Sequence, residues 1–167
     1  MTRLTILEHP DPRLRTMAQP VTDFGPGLQR LVDDMLETMH ATHSIGLAAT
    51  QVDVHLQLIV MDLSARGTDP QVFINPEILA RRGRGMVEEG CLSLPGVTES
   101  VERALWLRVR ALDRQGVCGE CDLEAMHAVC LQHEMDHLAG MLFIDRLSFW
   151  RKLRLRAKPG GQAAALQ

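Results

Sequence analysis

Aromatic side chains are scarce in this 167-residue sequence, which has no tyrosine and only four phenylalanines and two tryptophans. A surface that stacks single-stranded bases on interleaved aromatic and basic residues is therefore not expected. Long apolar runs are missing too. None approaches the roughly 18 residues that span a bilayer, and residues 1–15 lack the apolar stretch of a secretory signal. The expected location is the cytoplasm, with no membrane partner. Cysteine is limited to Cys91, Cys118, Cys121 and Cys130, which in that compartment are better read as thiols or metal ligands than as a disulfide framework.

The remaining composition is globular. With 46% hydrophobic and 23% charged residues and a mean hydropathy of -0.04, the chain is too apolar for disorder and too interrupted by charge for a membrane protein. Its length suits one domain, with residues 1–147 as a single catalytic domain and 148–167 as a basic helix and mobile tail. Acidic residues stop at Asp145. Residues 1–145 carry 12 Lys and Arg against 21 Asp and Glu, whereas Arg146, Arg151, Lys152, Arg154, Arg156 and Lys158 meet no acid. Such a segment can attract RNA by counterion release, which would admit a ribosome contact; DNA is not an expected partner. The favoured reading of the segment is a solvated helix followed by a frayed end.

Apolar periodicity outlines the elements. Leu28, Leu31, Val32, Met35, Leu36 and Met39 recur at helical spacing with Asp33, Asp34 and Glu37 opposite, predicting a helix over 27–43. Residues 44–51 are small, follow no helical period and read as a tight loop. Short runs at 56–62 and 72–75 predict strands, the second stopped by Pro76. Leu105, Leu107, Val109 and Ala111 alternate with Trp106, Arg108 and Arg110, predicting a strand that turns at 113–116 into a hairpin. Residues 123–139 contain no proline or glycine and are apolar round most of a helical circumference, so a helix here must be surrounded by protein, with Gly140 as its cap. A third helix is expected over 148–157, and Pro159-Gly-Gly begins the mobile end. This order implies an α+β fold: short antiparallel or mixed β-sheets around a central helix, with an N-terminal and a C-terminal helix.

The central helix contains His133-Glu134-Met135-Asp136-His137. Two imidazoles four residues apart lie on one helix face, about 6 Å along the axis, where they can grip one divalent metal while the glutamate reaches a water beside it. Its flanks, Cys130, Leu131, Leu138 and Ala139, are apolar, so unliganded histidines would be polar groups without evident partners. A catalytic site needs a third protein ligand and an open position. Cys130 stands about 10 Å of helix axis from His137, too far along one helix to share a tetrahedral ion. Cys118-Gly-Glu-Cys121 has no second C-x-x-C and no nearby histidine, and reads as structural thiols rather than a zinc knuckle or redox pair. Cys91, in a short polar segment with glycine, is the expected third ligand.

Three motifs resemble those of peptide deformylases in order and spacing: Gly46-Leu-Ala-Ala-Thr-Gln51, Glu89-Gly-Cys-Leu-Ser93 and Gln132-His-Glu-Met-Asp-His-Leu138. The resemblance runs from His9-Pro-Asp-Pro-Arg-Leu-Arg15 to Leu142-Phe-Ile-Asp145. It implies a hydrolase that removes the formyl group from the N-terminal formylmethionine of nascent polypeptides. It further implies one divalent ion on Cys91, His133 and His137, usually Fe(2+) with zinc, nickel or cobalt as substitutes. Glu134 is then the acid/base, and Gln51 with the backbone N–H of Leu92 stabilises the oxyanion. Ile45 and Gly46 resemble the loop that holds the peptide in extended form. Met126 and Val129 share the helix face of His133, so they either line a pocket for the methionine side chain or serve as core packing. Three positions depart from the family: Ser44 and Ala125 replace usual glycines, and Thr98 stands where some members have arginine. Serine at 44 would be strained if that position needs positive φ. The competing readings are an H-E-x-x-H metalloprotease and an inactive scaffold that binds RNA or a ribosomal surface.

Overall fold

Pro26 opens the first helix, α1 (Pro26–Ala41), at the position where its fixed φ and missing N–H carry no penalty. The computed structural model describes residues 3–156. Along α1 the spacing of four, three and four residues puts Leu28, Val32, Met35 and Met39 on one buried stripe. That stripe lies on a five-stranded sheet of order β1-β2-β3-β6-β7, made of β1 (Gly46–Ala48), β2 (Leu58–Met61), β3 (Gln71–Arg82), β6 (Trp106–Leu112) and β7 (Cys118–Glu124). A separate hairpin pairs β4 (Gly85–Cys91) with β5 (Leu94–Arg103). Both sheets are antiparallel throughout, so the mixed alternative is set aside.

Strand β2 shows why its sequence is apolar without alternation. Leu58 and Val60 face α1, whereas Ile59 and Met61 face the second helix, α2 (Ala125–Leu138). All four are fully buried, and each such side chain contributes about 1.5–3 kcal/mol of burial energy. Helix α2 packs Ala128, Leu131 and Leu138 on this face of the sheet. A third cluster joins Leu94, Val97 and Val101 of β5 to Leu142, Phe143, Ile144 and Leu147 and to Leu155 of a last helix, α3 (Phe149–Arg156). Sheet and hairpin thus reach α2 from different sides.

Several boundaries differ from the sequence expectations. Within the expected loop at 44–51, residues 46–48 pair with β2 as an edge strand, followed by a helical turn at 49–52. The strand expected to stop at Pro76 continues to Arg82, because Pro76 falls at an irregularity of the β3–β6 ladder, where no donor is required. The central helix begins at 125, since Leu123 and Glu124 close the hairpin opposite Leu107 and Trp106. Strand β7 is the second arm of the hairpin expected at 113–116, and in it only Leu123 is buried. Hairpin β4–β5 was not expected at all. Gly140 does follow the end of α2 in the left-handed region (φ 70°), and a Cβ there would lie 2.5 Å from the Arg15 carbonyl oxygen. Lys158 of the basic segment and Pro159-Gly-Gly, expected to begin the mobile end, lie outside the described residues.

The strand-to-helix transition at Ala125 has φ 48°. An alanine there costs roughly 1–2 kcal/mol, while glycine would add about 0.4–1 kcal/mol of unfolded-chain entropy. Ala125→Gly is therefore expected to stabilise the protein by about 0.5–1 kcal/mol, read as a raised urea midpoint at unchanged slope.

Candidate metal centre and active site

Cys91 ends β4, and His133 and His137 occupy successive turns of α2. The hairpin presses the strand end onto the helix, so that one ligand atom from each lies within 4.8 Å of the others. Cys91 Sγ is 3.2 Å from His137 Nε2. Cys130 and the Cys118–Cys121 pair are not part of this group. The latter two cysteines lie on an extended strand three residues apart, which turns their side chains to opposite faces.

Each imidazole has its own setting. His133 Nδ1 is hydrogen-bonded to Glu89 Oε2 at 2.8 Å, leaving Nε2 for the cluster. Burial opposes a charge on His133, but its hydrogen bonds to Cys91 and Glu89 prevail and raise its pKa well above the ordinary value. On His137 burial and the neighbouring His133 both act downward, keeping it neutral, as a metal ligand must be. The donor set of one thiol and two imidazoles, one already oriented by a carboxylate, fits a tetrahedral divalent ion with one position left open.

Glu134, between the ligands, is buried, with its Oε2 hydrogen-bonded to no described residue. Burial pushes its carboxyl up to about 7. Gly46 makes room for it: a Cβ there would stand 2.7 Å from Glu134 Oε1 and from Cys130 Sγ. Gln51 is also buried; its Oε1 accepts from the Ala48 N–H at 2.9 Å, and its Nε2 donates to Ser93 Oγ at 3.2 Å and faces Cys91 Sγ at 3.7 Å. A cleft of about 620 Å³ opens onto these groups, lined among others by Ile45, Gly46, Leu92, Met126 and Val129. All ten residues singled out from the sequence thus line the cleft or belong to the ligand group. Val129 is buried, whereas Met126 and Ile45 stand at the rim.

The expectation about strain changes. The left-handed residue before the first motif is His43 (φ 54°), not Ser44, whose Oγ instead donates to the Gly46 carbonyl oxygen at 2.7 Å. Thr98 sits on β5 opposite Gly90 and is exposed.

Sequence reading missed the network behind the ligands. Arg103, 1% exposed in its side chain, donates to both oxygens of Glu89 at 2.6 and 2.9 Å and to Asp136 Oδ2 at 2.7 Å. Arg146 clamps the other side of Asp136. Burial would raise the Glu89 carboxyl, yet Arg103 and His133 hold it at about 2. The available signal was the two-residue spacing of Glu89 and Cys91, which puts both on one face of a strand and leaves Glu88 outside.

The family model described as polypeptide deformylase matches residues 3–152. The peptide deformylase of Azotobacter vinelandii is 54% identical over 159 residues, 95% of each chain. The chain belongs to the polypeptide deformylase family. Among solved structures, a peptide deformylase from Legionella pneumophila superposes with a TM-score of 0.89 at 44% identity, covering 94% of this chain and 93% of that one. A class I type b peptide deformylase from Acinetobacter baumannii, solved with Met-Ala-Ser bound, gives 0.82 at 32% identity over 87% and 99%. The chain is thus an α+β amide hydrolase of this family, with a Cys-His-His group able to hold a metal.

Truncating Arg103 leaves the buried Glu89 carboxylate without its arginine and Asp136 with Arg146 alone, so Arg103→Ala is expected to lose about 3–5 kcal/mol in urea unfolding. Glu89→Gln, which keeps size but weakens the acceptor for His133, is expected to weaken metal affinity about 10- to 100-fold in a chelator competition.

Proposed function

We propose that this protein removes the formyl group from the N-terminal formylmethionine of new polypeptides in the cytoplasm, with one divalent ion, Fe(2+) in the first place, on Cys91, His133 and His137. Zinc, nickel or cobalt suit the same donors. The observation that carries the reading is the convergence of those three ligand atoms beside a buried glutamate with one unpartnered oxygen in an open cleft. The Met-Ala-Ser bound to the Acinetobacter relative supports a methionyl peptide as the class of substrate. Residues 1–147 form the catalytic unit in this proposal.

An ion held there supplies Lewis acidity that brings the ionisation of water to near pH 7, from about 15.7 in bulk. Glu134 takes the proton of the attacking water and passes it to the leaving amine. A carboxyl poised at about 7 both accepts and returns a proton at neutral pH. Gln51 Nε2 and the Leu92 N–H donate to the oxygen of the former formyl carbonyl as it gains charge, and the hydrogen bond from Ala48 to Gln51 Oε1 fixes the amide so that Nε2 points inward. Ile45 and Gly46 offer backbone to an extended peptide, while Met126 and Val129 flank the methionine side chain. At the other end, α3 presents exposed Phe149 and Trp150 beside Arg154, a face suited to ribosome contact.

The direct test is formate release from formyl-Met-Ala by anaerobically prepared, Fe(2+)-loaded protein. Glu134→Ala is expected to lose about 10²- to 10⁴-fold in turnover with metal content unchanged. Gln51→Ala should lose about 10²- to 10³-fold in kcat. Cys91→Ala should lose the metal itself by elemental analysis, and equal metal in Cys91→Ala and Glu134→Ala would overturn the ligand assignment.

A further inference from the structure

Behind α2, away from the cleft, lies a second cavity of about 530 Å³. Arg81, Arg82, Arg84 and Arg146 line it, and Arg103 and Asp136 form its buried side. Five arginine residues thus line one cavity in a chain of net negative charge, against two lining carboxylates, Asp136 and Glu102.

Two of the five arginines are neutralised locally. Arg103 is saturated by Glu89 and Asp136, and Arg146 is engaged by Asp136. Arg84 reaches Glu102 only at 3.4 Å, with both side chains mostly in solvent, a pair worth little. The Arg81 guanidinium makes no hydrogen bond or ion pair with any described residue. Arg82 stacks 4.6 Å above the Trp106 ring, which orients its fork without consuming its donors. Asp122, within electrostatic reach of Arg82, is already held bidentately by Arg108.

We propose that this cavity binds a small phosphate-bearing anion, with Arg81, Arg84 and Arg146 as donors. Guanidinium forks match phosphate oxygens bidentately. Donors arriving from β3, from the β3–β4 turn and from the segment after α2 approach from different directions. That arrangement suits a tetrahedral oxyanion, whereas a planar carboxylate is satisfied by one fork. The volume falls within the range of about 300–1,000 Å³ typical of small-molecule sites. It is too confined for a nucleic-acid helix.

Trp106 under Arg82 supplies a reporter remote from the metal centre. In a Trp150→Phe background it is the one tryptophan left in the chain. Titrating the metal-loaded full chain with inorganic phosphate should change Trp106 emission saturably, where chloride at equal ionic strength does not. Arg81→Ser combined with Arg84→Ser should weaken phosphate affinity about tenfold per guanidinium removed, leaving formate release unaltered. Cys91→Ala should retain phosphate binding. No saturable change, equal affinity in the double variant, loss of binding in Cys91→Ala, or a response only to an eight-nucleotide single strand would each overturn the proposal, the last by making the patch a nucleic-acid surface.

Discussion

Arg103 is the tie on which the geometry of the site depends. The thiol and the imidazoles ride on different bodies, a two-stranded hairpin and a helix under a five-stranded sheet. Apolar contact between such bodies is non-directional, and a hairpin that slipped by one residue would turn every side chain to its other face. A guanidinium fork does not tolerate that slip. Because Arg103 bonds Glu89 on the hairpin and Asp136 on the helix at once, displacement of either body would strand buried charges in a medium that cannot solvate them. The network therefore acts as a register pin.

The same helix shows how environment divides the work among carboxylates. Glu134 and Asp136 are two residues apart and both buried. Asp136 faces two arginines, stays paired and takes a structural part. Glu134 faces the cleft with one oxygen unpartnered, and desolvation lifts it to about 7, the range in which a carboxyl can serve as acid and base. Glu89, held near 2 by Arg103 and His133, is a fixed anion that orients an imidazole. The three acidic side chains have three roles, set by which neighbours each meets.

Helix α2 accordingly has a chemical front and an ionic back. Its front turns His133 and Glu134 toward the cleft and His137 toward Cys91, and its back turns Asp136 and Gln132 toward the arginine-lined cavity. The two sides are connected by Asp136, Arg103 and Glu89, an unbroken series of charged hydrogen bonds ending on His133. An occupant of the rear cavity would sit against the first member of that series, Asp136.

Much of this was legible from residue order, because the signals are local. The stripe of α1, the alternation of β6, the H-E-x-x-H spacing and the cap at Gly140 each depend on neighbours within a few residues, where backbone geometry alone decides which side chains share a face. The third ligand follows by elimination: Cys130 is too far along one helix from His137, and Cys118 and Cys121 have no second C-x-x-C and no nearby histidine. The β4–β5 hairpin is not legible in the sequence, because β4 hides Glu89 beside an exposed Glu88 and carries no apolar rhythm; β7, which buries only Leu123, follows from the turn at 113–116 and not from its own pattern. Ser44 was suspected of strain that in fact belongs to neither it nor its loop partner Gly46, whose smallness is required by the approach of Glu134. Chain chemistry thus specified which atoms could hold a metal. Their meeting at one point, and the arginine that keeps them there, arose from contacts between segments dozens of residues apart, and no local periodicity encodes those distances.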